Sequence, residues 1–293
     1  MTICTTIGIV STKGGVGKTS TSAALAAILA DMGQRVLMID GDFQQSLSDY
    51  YRLSYIAEDG LLELITRAEP TGCISKTVIQ NLDVVVSNDP KRQLESWIVE
   101  SVMNAHYLKG AILKLHDDYD FIIIDSQGSE NRLLQPIILA SDIVVSPVVP
   151  NALDVQEFGR GTVRLMRSME PKEIAPAIPA IDIPPMYGLI SKQERTADAI
   201  FFADRLRGKY NNPEYPRISI LDTYIPHLSS YAKSAARHIP VHQLEAARKG
   251  PSQSAYQVYL SLIQELFPHL AGITPAMQPP MSFDEASAVR VVK

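Results

Sequence analysis

The sequence predicts an α/β protein with a doubly wound, mostly parallel twisted sheet that is flanked by helices. Two observations support this fold class. Short β-rich runs alternate with longer helical stretches over most of the 293 residues, as in parallel sheets with helical crossovers. Several runs, such as FIIID at 121–125 and DIVVSPVV at 142–149, are almost continuously apolar. Parallel strands that are covered on both faces have this composition.

Seven β-rich runs are predicted to be the strands. They lie at 7–11, 35–39, 82–87, 121–125, 143–147, 187–191 and 218–225. The clearest helix is predicted over residues 20–32, since its apolar side chains recur at the spacing of one helix face. Gly33 follows at a position that favours glycine after a helix.

The same pattern predicts one domain over residues 1–267 and a proline-containing C-terminal tail over 268–293. The proline-rich stretch 171–185 is expected to be a stiff loop before the strand at 187–191. Beyond residue 267 the helical periodicity is lost and prolines recur, so we expect the tail to be partly mobile.

The composition excludes several classes of protein. Two cysteines without a CxxC pair are too few for a disulfide framework or a cysteine-bound cluster. No apolar run reaches the roughly 20 residues that span a bilayer. The N-terminus also lacks the pattern of a signal peptide. We therefore expect a cytoplasmic protein.

The net charge of −5 is unevenly distributed. Residues 1–150 carry 11 Lys or Arg and 18 Asp or Glu, whereas residues 151–250 carry 14 and 11. The later part of the chain can therefore form a basic surface although the whole chain is acidic. Nucleic acid is not excluded as a partner.

The segment STKGGVGKTS at 11–20 predicts a phosphate-binding loop, the P-loop. It follows a predicted strand and opens a predicted helix, which is the context that such a loop requires. Its glycines let backbone N–H groups point at phosphate oxygens, and the helix N-terminus adds partial positive charge. Lys18 is expected to contact the β- and γ-phosphates, and Thr19 to bind Mg²⁺. Thr12 replaces the glycine of the standard pattern, so the segment matches the deviant Walker A form with an additional lysine, Lys13.

Three motifs together resemble the ParA/Soj/MinD class of deviant-Walker ATPases. They are KGGVGKT at 13–19, VLMIDGDFQQSLS at 36–48 and FIIIDSQGS at 121–129. The resemblance implies that residues 1–267 are a single P-loop ATPase domain that uses ATP and Mg²⁺. Hydrolysis of ATP to ADP and phosphate is expected to be slow without a partner, since no arginine finger is evident near the loop.

The resemblance also implies roles for individual residues. Lys13 is expected to reach the nucleotide of the partner subunit in a face-to-face homodimer, since phosphates buried between two subunits need positive charge from both sides. Asp42 is expected to position the attacking water, and Asp40 to lie near Mg²⁺ through a water. Asp125 matches the Walker B carboxylate that holds the water shell of Mg²⁺.

The predicted site residues form three groups. Those expected to act in catalysis are Lys13, Lys18 and Asp42. Those expected to bind the nucleotide are Lys13, Gly14, Gly15, Val16, Gly17, Lys18, Thr19, Ser20 and Pro226. Those expected to bind the metal are Thr19, Asp40 and Asp125. The base pocket is expected around Ser191 and Pro226, at the ends of two predicted strands.

The resemblance further implies non-specific DNA binding by basic residues late in the chain. The candidates are Lys192, Arg195, Arg205, Arg207, Lys209, Arg217, Lys233 and Arg237. Arg195, Lys233 and Arg237 are singled out among them, and Lys233 and Arg237 are one helical turn apart. Phosphate neutralisation by such residues gives sequence-independent, salt-sensitive binding. The implied function is plasmid or integrative-element DNA partition, with a ParB-like centromere-binding partner and association with the nucleoid when ATP is bound.

Two other functions are left open by the sequence. The DSQG turn at 125–128 and the PNALD stretch at 150–154 resemble relatives that serve conjugative DNA transfer. A MinD-like membrane ATPase would need a basic amphipathic C-terminal helix. The segment 282–293 is short and contains two cations, so no membrane partner is expected.

Overall fold

The computed structural model describes residues 4–129, 131–170, 183–249 and 252–276. The strands within these ranges are β1 (Thr5–Ile9), β2 (Val36–Gly41), β3 (Leu53–Tyr55), β4 (Ser75–Thr77), β5 (Leu82–Val85), β6 (Phe121–Ser126), β7 (Ile143–Val148), β8 (Met186–Gln193) and β9 (Ile218–Pro226). The helices are α1 (Lys18–Asp31), α2 (Leu61–Arg67), α3 (Gln93–Glu100), α4 (Tyr107–Leu113), α5 (Leu134–Ala140), α6 (Ala152–Glu157), α7 (Arg164–Met169), α8 (Ala197–Tyr210), α9 (Ser229–Arg237), α10 (Val241–Leu244) and α11 (Ala255–Leu266). A π-helical segment, Phe158–Val163, joins α6 to α7, and 3₁₀ turns lie at Val102–His106 and Pro268–Leu270.

The strands form one sheet in the order β3-β4-β5-β2-β6-β1-β7-β8-β9. The strands from β5 to β9 in this order run parallel to one another. The predicted α/β fold with a mostly parallel sheet is therefore confirmed. Each of the seven predicted runs is a strand, with ends that agree within two residues.

The sequence does not predict β3 and β4, which form an antiparallel edge next to β5. Each is three residues long, and their sequences LSY and SKT contain no apolar run. Pairing with a neighbouring strand therefore defines these two strands more than their own composition does.

An apolar core covers each face of the sheet. In β6, Phe121 and Ile123 pack into the core that contains α1 and α11. Ile122 and Ile124 pack into the opposite core, which contains α2, α4 and α5. Because both faces of the strand are buried, the four positions before Asp125 are all apolar.

β1 and α1 position the P-loop. The loop leaves the carboxyl end of β1, whose neighbours are β6 and β7, and enters α1 at Lys18. Ligands of doubly wound sheets bind in this crevice. α1 begins two residues before the predicted helix, and nearly all of its side chains are buried, so core packing fixes the helix that starts at the loop.

Part of the predicted tail packs on the domain. Leu270 is buried, and Ala276 N donates to Asp31 O at 2.7 Å. Residues 277–293, and residues 171–182 of the predicted stiff loop, lie outside the described residues. Within the described ranges, no helix combines the length and apolar character needed to cross a membrane.

Candidate nucleotide-binding site

The P-loop, residues 11–20, turns at its glycines. Gly15 and Gly17 have φ values of +75° and +94°, which residues with a side chain rarely adopt. A Cβ at either position would meet no other atom within 4 Å, so the loop borders open space there. A glycine-rich turn that leads into a helix N-terminus suits a bound phosphate.

Two side chains at the end of β8 hold the P-loop from outside. Ser191 Oγ donates to Val16 O at 2.7 Å, and Lys192 Nζ donates to Gly15 O at 2.6 Å. These bonds fix the direction of two carbonyl groups of the loop and hence of the neighbouring N–H groups. Sequence reasoning places Ser191 only near the base pocket and misses the anchor, because the partners are 175 and 177 positions apart.

Thr12 has a structural reason to replace the usual glycine. Thr12 N donates to Thr162 Oγ1 at 3.2 Å, and the two hydroxyl oxygens lie 3.3 Å apart. Thr162 belongs to the π-helical segment Phe158–Val163. A Cβ at Gly161 in the same segment would overlap the Thr12 hydroxyl. The π-helical segment is therefore packed directly against the P-loop.

Asp125, at the end of β6, lies against the start of α1. Its Oδ2 accepts from Thr19 Oγ1 at 2.7 Å, and its Oδ1 accepts from Ser22 Oγ at 2.9 Å. Burial raises the pKa of this carboxyl to about 7, and the charge of Asp40 adds to the rise. A cation would relieve this unfavourable burial of negative charge.

The residues at Asp125 fit a magnesium ion that is bound together with a nucleotide. Mg²⁺ usually takes one or two protein oxygens and completes its octahedron with phosphates and waters. The Thr19 hydroxyl and the Asp125 carboxylate supply such oxygens in direct contact. Within the described residues, no cluster of three or more His, Cys, Asp or Glu side chains is arranged to hold a metal. The remaining ligands would have to come from the nucleotide and water.

Asp40 is buried at the end of β2 and anchors the loop that follows. Its Oδ2 accepts from Leu47 N at 3.1 Å and from both Ser48 N and Ser48 Oγ at 2.7 Å. Its Oδ1 accepts from Asp42 N at 3.0 Å. Burial raises the pKa of Asp40 to about 6, although these hydrogen bonds oppose the rise. The structure gives Asp40 a loop-positioning role, and its predicted position near Mg²⁺ stays a prediction.

Asp42 is held less tightly than Asp40. It is partly exposed, and its Oδ1 accepts from Gln44 N at 3.0 Å. The pKa of Lys18 is lowered by burial, while Asp125 and Asp42 act in the opposite direction. Asp42 is therefore near enough to Lys18 to favour the charged form of that lysine. Its predicted role in positioning water stays a prediction.

The DSQG turn at 125–128 packs closely on the P-loop. Lys18 is buried, and its Nζ donates to Lys13 O at 3.1 Å. A Cβ at Gly128 would lie 2.8 Å from Gly14 Cα and 2.9 Å from Lys18 Nζ. The turn requires glycine at this position because the P-loop passes so near.

We expect Gly128→Ala to weaken ATP binding by about tenfold or more, because the added methyl group must displace the backbone of Gly14 or the ammonium of Lys18. Titration with a fluorescent ATP analogue measures the affinity. Gly110→Ala is a suitable control, since a Cβ there meets no atom closer than 3.9 Å. Equal affinities for the two folded variants would contradict the close packing of the turn.

The additional lysine of the motif, Lys13, lies at the rim of the P-loop. Its Nζ is 3.6 Å from Asp154 Oδ1, and its side chain is 45% exposed. Asn151 fixes this partner, since Asn151 Nδ2 donates to Asp154 Oδ2 and Asp154 N donates to Asn151 Oδ1, both at 2.9 Å. The PNALD stretch at 150–154 therefore supplies an intrachain partner for Lys13.

A cavity of about 260 Å³ adjoins the P-loop where α1 begins. Ser20, Ser191 and Pro226, which the sequence places near the nucleotide, all line it. Tyr231 and Tyr259 also line it. Sequence reasoning misses the two tyrosines, because an aromatic residue within a helical pattern is indistinguishable from a core residue. The position and size of this cavity suit the base of a nucleotide.

The three DNA-binding candidates that were singled out, Arg195, Lys233 and Arg237, lie on two segments of the chain. Arg195 follows β8, and its Nη2 donates to Ser252 Oγ at 2.6 Å. Lys233 and Arg237 are exposed on α9. Ser252 belongs to the segment before α11. Lys233 and Arg237 therefore lie on one helix, whereas Arg195 lies on a different segment of the chain.

Comparison with known proteins identifies the family. A family model described as "AAA domain" matches residues 4–170, which is more than half of the chain. The sporulation initiation inhibitor protein Soj of Bacillus subtilis (strain 168) is 35% identical over 144 residues. The chain belongs to this AAA domain family and to the ParA/MinD superfamily. The match with Soj covers 48% of this chain and 57% of the relative, so the chain spans about half the length of the curated relatives it matches.

Solved structures share the fold of this ParA/MinD superfamily member. A single-residue variant of Cyanothece McdA in complex with ATP has a TM-score of 0.73 and 21% identity, covering 91% of this chain and 97% of that chain. The "putative plasmid partition protein" from Borrelia burgdorferi B31, bound to AMPPNP, has a TM-score of 0.67 and 20% identity. The match covers 91% of this chain and 99% of that chain. At these identities the likeness establishes the fold alone.

Proposed function

We propose that this ParA/MinD superfamily member is an ATP-dependent dimeric switch that serves DNA partition. The observation that carries the proposal is the pair of lysines in one P-loop. Lys18 is buried at the loop, whereas Lys13 stands at its rim with an exposed side chain. One lysine can hold the phosphates of its own subunit while the other is available to a second subunit.

The geometry supports hydrolysis of ATP within each half of the proposed dimer. Thr19 and Asp125 would hold Mg²⁺, which supplies neutralisation of the charge that develops on the phosphates. Lys18 would bind the terminal phosphates, and Asp42 would orient the attacking water. We expect slow hydrolysis by the protein alone, because a partner is proposed to stabilise the charge of the transition state.

The proposed partners are non-specific DNA and a ParB-like centromere-binding protein. Exposed cations at Arg195, Lys233 and Arg237 support DNA binding. Among relatives, a virulence plasmid protein of Chlamydia psittaci carries the description ParA family. By this proposal the protein is cytoplasmic and associates with the nucleoid when ATP is bound.

The test is an ATPase assay with and without plasmid DNA, repeated with the product of the adjacent gene. We expect a slow basal rate that rises about tenfold or more when DNA and the ParB-like protein are both present. Lys18→Ala is the control for contaminating activity. A rate that neither addition changes would contradict the proposed switch. Stimulation by a relaxase without DNA would favour conjugative transfer, and ATP-dependent sedimentation with anionic vesicles would favour the MinD-like alternative.

A further inference from the structure

A second concave surface lies away from the P-loop, between α6 with the π-helical segment on one side and α8 on the other. This basic groove has a volume of about 590 Å³. Three cations line it, namely Arg160, Arg205 and Lys209, and no carboxylate does within the described part of the chain. Its apolar lining includes Phe202 and Val155, which are partly exposed.

The charges of the basic groove are not neutralised by nearby acids among the described residues. Lys209 Nζ lies 5.0 Å from the centre of the Tyr210 ring. Arg160 donates to the amide oxygen of Gln156 at 2.8 and 3.0 Å when that amide is oriented to satisfy both groups. Of the acidic residues on α6 and α8, Asp154 faces Lys13 and Asp204 faces Arg207, whereas Glu157 and Asp198 do not line the groove. A strongly cationic groove is therefore available to an anionic ligand.

The apolar part of the groove decides which anionic ligand it fits. A nucleic-acid backbone offers phosphates but no aliphatic side chains, and it is usually bound by exposed cations on an open surface. An acidic peptide segment with interspersed apolar residues offers both carboxylates and side chains that Phe202 and Val155 can cover. We propose that the basic groove binds an acidic, partly apolar segment of a partner protein and communicates its occupancy to the P-loop.

The π-helical segment provides the physical link between groove and P-loop. Gly159 and Arg160 lie in the groove lining. Thr162, two residues further on, is hydrogen-bonded to Thr12 of the P-loop. π-Helical segments are rare and occur frequently at functional sites. A ligand that shifts this segment therefore acts on the backbone that precedes the phosphate-binding glycines. The inference rests on the proposed function in that it gives a partner a place from which to regulate the nucleotide site.

The first test measures binding of a fluorescent peptide by anisotropy, using the full chain. The probe is a synthetic 15-residue peptide that alternates paired glutamates with single leucines, and a charge-reversed peptide with lysine in place of glutamate is the negative probe. We expect Arg205→Glu/Lys209→Glu to weaken peptide binding at least about tenfold, because charges opposite the ligand become repulsive. The matched control is Lys91→Glu/Lys109→Glu, which changes the net charge equally at exposed positions outside the groove.

The same variants are assayed on a short DNA duplex. We expect the groove variant to retain DNA affinity within about twofold of the control variant. Equal loss of peptide affinity in the groove variant (Arg205→Glu/Lys209→Glu) and the control variant would overturn the proposal. Loss of both DNA affinity and peptide affinity in the groove variant would also overturn it. Peptide binding needs no hydrolysis, so failure of the ATPase test and failure of this test are distinguishable.

The second test addresses the link to the P-loop. The affinity of a fluorescent ATP analogue is measured with and without saturating peptide, in the wild-type protein and in Thr162→Val. We expect the peptide to change nucleotide affinity about threefold or more in the wild type and to leave it unchanged in Thr162→Val, which still binds the peptide. An identical shift in both proteins would overturn the proposed communication.

Discussion

Lys13→Ala is expected to abolish ATP-dependent dimerisation while the monomer still binds ATP. Loss of a charge that is desolvated against phosphates in an interface costs about 2–5 kcal/mol, which is enough to dissociate a micromolar dimer. Lys13 can leave Asp154, 3.6 Å away, for the nucleotide of a second subunit at little cost. Its side chain is 45% exposed, and exposed ion pairs contribute little to stability. Light scattering at rising protein concentration with a slowly hydrolysed ATP analogue measures the dimer.

The matched control for this prediction is Lys114→Ala. Lys114 also forms an exposed ion pair, with Glu69 at 2.8 Å, and is 50% exposed, but it follows α4 and lies outside the P-loop and its contacts. The control should dimerise like the wild type. A Lys13→Ala protein that dimerises normally would contradict the role of Lys13 across the interface.

Asp42→Ala is expected to trap the ATP-bound, DNA-bound dimer. Removing a group that positions the attacking water slows hydrolysis by roughly 10²–10⁴, while the phosphate contacts of Lys18 and the P-loop are untouched. The fold should tolerate the change, because among the described residues the Asp42 side chain accepts a hydrogen bond from Gln44 N alone. Turnover is measured by phosphate release, and trapping by co-sedimentation with DNA in the presence of ATP.

Two comparisons make the Asp42 result specific. Asp118→Ala removes an exposed carboxylate away from the site and should cycle normally. Asp40→Ala should instead destabilise the protein, because the 42–48 loop loses all four hydrogen bonds to that carboxylate. Normal turnover by Asp42→Ala would refute its assignment.

The fold could be predicted largely from local pattern. The central strands could be predicted because two buried faces favour apolar residues at consecutive positions, as at residues 121–124 of β6. The edge strands β3 and β4 could not be predicted, because β4 forms by pairing with β5 and β3 by pairing with β4. The start of α1 at Lys18 is also missed by two residues, since glycine-rich motifs conceal the point at which helical hydrogen bonds begin.

The site could be predicted only where its residues are close in sequence. The P-loop is recognised from spacing, and Asp125 from the strand that it ends. The partners that shape the loop come from distant segments, such as Lys192 and Thr162. Nothing in the spacing of Thr12 indicates that a hydroxyl 150 positions away will hold it. Asp40 illustrates the same limit, because its contacts with Ser48 depend on how the intervening loop closes.

The clamping of the P-loop by groups of its own chain has a consequence for the speed and thermodynamics of nucleotide capture. Ser191, Lys192 and Thr162 are internal partners, so the shape of the loop does not depend on the nucleotide to define it. Ordering a flexible backbone costs about 1–2 kcal/mol per residue, and a ligand that meets a preorganised loop avoids most of this cost. Association of the nucleotide with the P-loop should therefore be fast and carry little entropic penalty. Exchange of ADP for ATP can then proceed without refolding the loop in each cycle.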